Sequence, residues 1–254
     1  MRWHCHDRYH RMPQGAVAGG IAIVIDVLRA STTIATALAN GAARIQPVPA
    51  VDAARALAAA LGPGTLLGGE RGGTRIGGFD LGNSPLEYSR DRVAGRSIVV
   101  TTTNGTAAID ACGDAREVLV GAIVNRSAAA ALARSLALRH GVGDVHLVCA
   151  GTDGAVTEED MLAAGAILDA AARLPGADGD AIDAAGGDAL AGYRDAVAAG
   201  PTVGDAIARA FARSLGGRNL LDLGMDADLP AAAAIDSLAV VPRLDRATGW
   251  LHAG

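Results

Sequence analysis

IAIVIDVLRASTTIATALANG, residues Ile21 to Gly41, carries two periodicities in one stretch. Ile21–Ile25 is an unbroken apolar run with no position suited to water. Such a run reads as a strand buried on both faces. Asp26-Val27-Leu28-Arg29 interrupts it, and Ala30–Ala39 reads as a helix stopped by the turn pair Asn40-Gly41. The same alternation continues on either side. Strands are predicted at Arg44–Val48, Thr65–Leu67, Ser97–Thr101, Glu117–Val120 and Asp144–Cys149. Helices are predicted at Val51–Ala60, Thr106–Ala111, Ser127–His140 and Glu158–Ala172. Strand and helix in turn imply a three-layer α/β/α fold with a mainly parallel central sheet.

We read residues 1–254 as one domain, with 20–172 as its α/β core and 173–254 as a helical segment plus a final strand. Helices are expected near Asp188–Ala199, Val203–Leu215 and Ala231–Ala234. The last strand is expected at Ser237–Val241, stopped by Pro242, with a tail after Thr248. Met1–Gln14 has no apolar core, so it reads as a flexible or edge-strand terminus and not as a signal peptide.

Composition narrows the chemistry. The 254 residues are 50% hydrophobic but only 3% aromatic, so Ala, Val, Leu and Ile build the core. All 22 basic residues are arginine. Without lysine there is no Schiff base and no phosphate-loop lysine. A net charge of −5 argues against a nucleic-acid partner. No apolar run reaches the ~20 residues that span a bilayer. Three scattered cysteines make neither a disulfide framework nor a zinc site. A cytoplasmic protein is expected.

The uncommon polar residues follow the predicted strands. Asp26 and Arg29 follow the first, Glu70 and Arg71 the third, Thr101–Gly105 the fourth, Asn125 and Arg126 the fifth, and Cys149-Ala150-Gly151 the sixth. In a parallel sheet those ends share one edge, where α/β folds bind ligands. Thr101–Gly105 leads into a helix, which suits an anion. Arginine forks match phosphate, carboxylate or sulfonate. Asp26, Glu70, Asp80 and Glu158-Glu159-Asp160 offer hard oxygen donors of the kind Mg²⁺ takes. A phosphotransfer or phosphohydrolase site follows. No GxGxxG, Walker loop, GxSxG elbow or DxD after the first strand is present.

At these residues the chain resembles the 2-phosphosulfolactate phosphatase (ComB) family. The likeness rests on VIDVLRASTTIATAL (Val24–Leu38), GGERGGTRIGGFDLGNSPLEY (Gly68–Tyr88), TTTNGT (Thr101–Thr106), VNRSA (Val124–Ala128) and CAGTDGAVTEEDMLAAGAI (Cys149–Ile167). A weaker block spans Gly224–Pro242, while Arg173–Gly217 is poorly matched. The resemblance implies an α/β/α fold and Mg²⁺-dependent hydrolysis of 2-phospho-3-sulfolactate to 3-sulfolactate and phosphate, a step of coenzyme M biosynthesis. It implies a small anionic phosphorylated substrate, no membrane partner, and a homo-oligomer as a possible assembly.

On that basis Asp26, Glu70 and Arg29 are expected to be catalytic. Asp26, Glu70, Glu159 and Asp160 are the expected metal ligands. Arg71, Asn83, Ser84, Thr102, Thr103, Asn104, Gly105 and Arg126 are expected to bind substrate. Water activated by the metal is the preferred nucleophile over the Asp26 carboxylate. Each residue also has a plainer reading. Asp26 reads as a helix cap, Glu70-Arg71 as a surface pair, Asn104-Gly105 as a turn and Thr157 with Asp160 as a capping box. Cys149 reads as a buried thiol rather than a nucleophile. Two further functions stay open: a phosphatase for another small phosphorylated acid, and a non-catalytic protein that binds an anionic metabolite.

Overall fold

Along β2 (Ile21–Ile25) every side chain is buried, and the strand divides the core as it alternates. Ile21, Ile23 and Ile25 enter one apolar cluster, while Ala22 and Val24 enter another on the opposite face. A sheet covered on both faces is the physical meaning of the unbroken apolar run. The structure, a computed structural model, describes all 254 residues.

Around β2 the chain first lays down β1 (Arg2–His6), α1 (Ala30–Ala39), β3 (Arg44–Pro47), α2 (Val51–Leu61), β4 (Leu66–Arg71) and β5 (Thr74–Arg75). It continues with α3 (Arg90–Val93), β6 (Ser97–Thr101), α4 (Gly105–Ala111), β7 (Glu117–Val120), α5 (Arg126–His140), β8 (Asp144–Cys149) and α6 (Glu158–Ala171). Then come β9 (Ala181–Ile182), α7 (Ala184–Ala198), α8 (Val203–Arg213), α9 (Leu215–Asp222), α10 (Asp228–Ala232), β10 (Pro242–Asp245) and β11 (Trp250–Ala253). The architecture is the expected α/β/α one.

The eleven strands form one sheet in the order β5-β4-β6-β3-β11-β10-β7-β2-β8-β1-β9. Two parallel blocks, β4-β6-β3 and β7-β2-β8-β1-β9, are joined by the antiparallel hairpin β10–β11. The hairpin pairs with them at Leu251↔Ile45 and Arg243↔Leu119. Three reversals make the blocks run in opposite senses along the ladder. A twist of about 20–25° per strand, accumulated over the five steps from β6 to β2, turns one block across the other. The C-terminal ends of β2, β4 and β6 thereby meet beside α1.

Several boundaries differ from the sequence reading, each for a tertiary reason. Arg2–His6 is neither loose nor at the edge. It lies between β8 and β9, with Trp3 and Cys5 buried in the core. β4 runs on to Arg71, two residues beyond the Gly pair that seemed to end it. The expected helix Val203–Leu215 is two helices broken at Ser214, whose hydroxyl accepts from Gly217 N at 3.2 Å. The last strand begins at Pro242 instead of stopping there, because proline is tolerated as a first strand residue. The expected tail after Thr248 is β11, paired inside the sheet with β10 and β3. No helix is long and apolar enough to cross a membrane.

Candidate active site

The ends of β2, β4 and β6 open into a cavity of ≈ 400 Å³ whose lining includes Asp26, Arg29, Glu70, Asn83, Thr103 and Asn104. After β2 the backbone turns through bonds made by its own hydroxyl residues. Asp26 N donates to Ser31 Oγ at 2.9 Å, and Thr32 Oγ1 donates to Val27 O at 2.8 Å. Thr33 Oγ1 reaches across to Asn83 O at 2.7 Å and fixes the neighbouring loop. Asp26 Oδ1 accepts Ala30 N at 3.3 Å, so the helix-cap reading holds for one oxygen. The other faces α4: a side chain on Gly105 would put its Cβ 2.6 Å from Asp26 Oδ2. Only glycine lets the two chain segments approach so closely.

Glu70 is the second cavity acid, 7% exposed. Its Oε1 accepts Thr103 N at 2.8 Å and Thr103 Oγ1 at 3.0 Å, and its Oε2 accepts Gly73 N at 2.8 Å. β4 can reach this position because Gly69, at φ +144°, passes hard against β6; a Cβ there would lie 2.0 Å from the carbonyl oxygen of Thr101. Replacing Gly69 by Ala is therefore expected to cost about 2–3 kcal/mol from backbone strain and clash. The measurement is urea unfolding, and a variant as stable as the parent sinks the argument.

Burial drives the Asp26 carboxyl up from its usual value of 3.8 to about 7, helped by the negative charges of Glu70 and Glu159. The Ala30 N–H and Arg29 oppose this without cancelling it. Arg29 is 3% exposed and already committed. Its Nη1 lies 2.8 Å from Asp228 Oδ2 and 2.7 Å from Met225 Sδ, and Nη2 donates to Gly73 O at 2.6 Å.

Other expected ligands are drawn elsewhere. Arg71 donates to Glu70 O, Pro49 O and Thr101 Oγ1, bracing β4 against β6 outside the cavity lining. Ser84 donates to Asp228 Oδ1 at 2.6 Å. Thr102 is 4% exposed and caps α4, accepting Thr106 N at 3.2 Å. Arg126 lies in a different cavity, because the extra turn Ile123–Asn125 carries it past the end of β7.

Of the four acids expected to hold a metal, Asp26 and Glu70 line this cavity, while Glu159 and Asp160 do not. Asp160 accepts Val27 N at 2.9 Å and Gly151 N at 3.0 Å, so both its oxygens staple the β2 and β8 loops together. Burial and the charges of Asp26 and Glu159 hold its carboxyl well above the ordinary range. Glu159 Oε1 accepts Gly216 N at 3.0 Å, and burial raises this carboxyl too. The Thr157–Asp160 capping box is absent, since Thr157 makes no side-chain cap. No three His, Cys, Asp or Glu side chains converge on one point. Asp26 and Glu70 remain as the cavity pair. Two carboxylates fit Mg²⁺, which takes one or two from protein and completes its shell with water and substrate phosphate. Cys149 is fully buried, and its hydrogen bond with Cys5 and its burial push the thiol well up, which excludes it as a nucleophile.

The helix α9, which starts at the end of the poorly matched region, closes the cavity. Gly216, Asn219, Leu220 and Asp222 of α9 line it together with Asp153. The side-chain amides of Asn83 and Asn104 accept and donate no hydrogen bond within the chain, which leaves them free for a ligand. Arg29 is the only cationic side chain in the lining, against Asp26, Glu70, Asp153 and Asp222.

A family model described as 2-phosphosulpholactate phosphatase matches residues 6–247. A protein named probable 2-phosphosulfolactate phosphatase from Synechococcus sp. (strain RCC307) is 40% identical over 242 residues, covering 93% of this chain and 95% of its own length. One of the same name from Deinococcus radiodurans is 42% identical over 227 residues, covering 88% and 87%. Another, from Gloeobacter violaceus, is 39% identical over 227 residues, covering 87% of each. The family match runs from the end of β1 through α9 to β10, and with these relatives the chain belongs to the 2-phosphosulpholactate phosphatase family, a family of phosphoric monoester hydrolases.

Proposed function

We propose that the chain hydrolyses 2-phospho-3-sulfolactate to 3-sulfolactate and phosphate, with Mg²⁺ held by Asp26 and Glu70. The observation that carries this reading is the charge of the cavity. Four acids and one arginine, itself paired to Asp228, line the cavity, and the proposed substrate carries phosphate, carboxylate and sulfonate groups. Polyanion and acids repel unless a further cation lies between them. When bound, that ion supplies neutralisation of the phosphoryl oxygens and acidifies a water molecule.

The chain's own groups do the rest. Asn83 and Asn104 donate amide N–H to the carboxylate and sulfonate oxygens and fix the substrate's orientation. Arg29 stands as a fixed positive charge beside the phosphoryl group. The water oxygen bonds to phosphorus as the ester P–O bond breaks. Asp26 takes the proton that the water gives up and later releases it to solvent, while the leaving alkoxide takes a proton from solvent water to become the 2-hydroxyl of sulfolactate.

The test is phosphate release from 2-phospho-3-sulfolactate with Mg²⁺ and with EDTA, run beside a panel of phosphomonoesters lacking the sulfonate. Release is expected only with metal, fastest on the sulfonated substrate, and with one ¹⁸O from labelled water in the phosphate. Equal turnover of the panel moves the substrate to another phosphorylated acid. An acyl-phosphate trapped on Asp26 makes that carboxylate the nucleophile. Binding without turnover makes the chain a sensor.

A further inference from the structure

Arg126 opens α5 into a second cavity of ≈ 660 Å³, which shares no lining residue with the active site. Three guanidinium groups converge there on one buried carboxylate. Arg173 Nη2 lies 2.6 Å and Arg126 Nη1 3.8 Å from Asp169 Oδ2, and Arg194 Nε lies 3.1 Å from Asp169 Oδ1. Arg126 is also held by Asp236, 3.1 Å from its Nε. Asp236 in turn takes Ser127 N at 2.8 Å and Ser127 Oγ at 2.7 Å. Arg126 is thus fixed between two acids.

Arg173 and Arg194 are not. Their side chains are 71% and 57% exposed, and each has Asp169 as its one acidic partner. Tyr193 is 3% exposed and lines the cavity. Its hydroxyl accepts Arg126 Nη1 at 2.5 Å, but its own proton has no acceptor in the chain. Val197, Val203 and Ile235 complete the walls. Three arginines against two acids leave one positive charge unmatched. Exposed N–H forks and a buried O–H donor all address the same space. Pinning three helices together needs fewer cations than this.

We propose that this cavity binds a small metabolite with a multiply charged oxyanion head of the phosphate type. Arg173 and Arg194 grip the head through paired N–H donors, the geometry in which arginine outperforms lysine. Tyr193 supplies its hydroxyl proton as a third donor, and the apolar part of the ligand rests on Val197 and Ile235. The cavity is of ordinary size for a small-molecule site. The proposal does not depend on the reaction catalysed at Asp26.

Inorganic pyrophosphate is the probe, titrated calorimetrically into the metal-free protein at low ionic strength. The acid-lined active site repels it under those conditions. Binding is expected to weaken at least about 10-fold in the Arg173→Gln/Arg194→Gln double variant. Tyr193→Phe, which keeps every charge and the ring, is expected to weaken it about 3-fold. Independently of any variant, pyrophosphate should slow phenylglyoxal modification of Arg173 and Arg194 in the parent chain. Arg2, whose side chain is 66% exposed, should react at an unchanged rate. Absence of binding heat in the parent, affinity unchanged in both variants, or protection equal at Arg2 overturns the proposal.

Discussion

Asp26→Asn is expected to lower phosphate release by about 10²–10⁴-fold, the range for a group that takes a proton in the transition state. The same substitution should stabilise the metal-free fold at alkaline pH. The Asp26 carboxyl titrates at about 7 in the fold against 3.8 ordinarily, so the folded chain binds that proton more tightly than the unfolded one. Stability is then fully present below the unfolded value. It falls as pH rises between the two values and stays low above the folded one. The cost of the buried charge at pH 8 is about 2–4 kcal/mol. Asparagine carries no such charge. Urea unfolding without metal should therefore show the variant more stable than the parent at pH 8 and close to it at pH 4. Mg²⁺ should raise the stability of the parent at pH 8 and do far less for the variant. Loss of activity without the pH-dependent gain would mean that Asp26 is not strained by its neighbours. Retained activity would remove it from the reaction.

That Asp26 and Glu70 could be found from spacing has a simple cause. Each stands at the end of an apolar strand, and strand ends in α/β folds gather along one edge. The rule fails at Arg126, where an extra turn precedes α5 and the side chain lines a separate cavity with Asp169 and Tyr193. It says nothing about Arg71, Ser84 or Thr102, because a polar side chain spent on bracing the backbone has the same letter as one facing a ligand. Asn219 and Asp222 had no local signal. α9 is held at the cavity by tertiary contacts, among them the Gly216 N–H donated to Glu159 on another helix and the burial of Leu220 in the core. β1 was hidden for another reason: only Trp3 and Cys5 of its five residues face the core, and two apolar positions are too few to show a period. β11 is a strand by virtue of its pairing with Pro242–Asp245 across a short hairpin and with Ile45, far away in sequence. Local pattern found the elements that are buried on both faces. It missed those whose partners are supplied by tertiary structure.

Asp228→Asn is expected to destabilise the protein by about 3–5 kcal/mol, the cost of leaving one member of a buried ion pair uncompensated. Asp228 is 2% exposed and Arg29 is 3% exposed, with 2.8 Å between Oδ2 and Nη1. Asp228 also takes the Ser84 hydroxyl at 2.6 Å, so one carboxylate joins the loop after β2, the Asn83-Ser84 loop and α10. Asparagine keeps the shape but not the charge, and Arg29 is then a buried cation without a counter-ion. At about 2–4 °C per kcal/mol for a chain of this size, melting should fall by roughly 6–20 °C. The double variant Arg29→Met/Asp228→Leu removes both charges together. Its stability should return to within about 1–2 kcal/mol of the parent, as apolar replacement of buried pairs does elsewhere. Its activity should not return, because the proposed phosphoryl-facing charge is gone. This separation decides what Arg29 is for. Recovery of both stability and turnover would make the pair a brace alone. Recovery of stability without turnover places the guanidinium in the chemistry, held at the cavity wall by an acid that the substrate never touches.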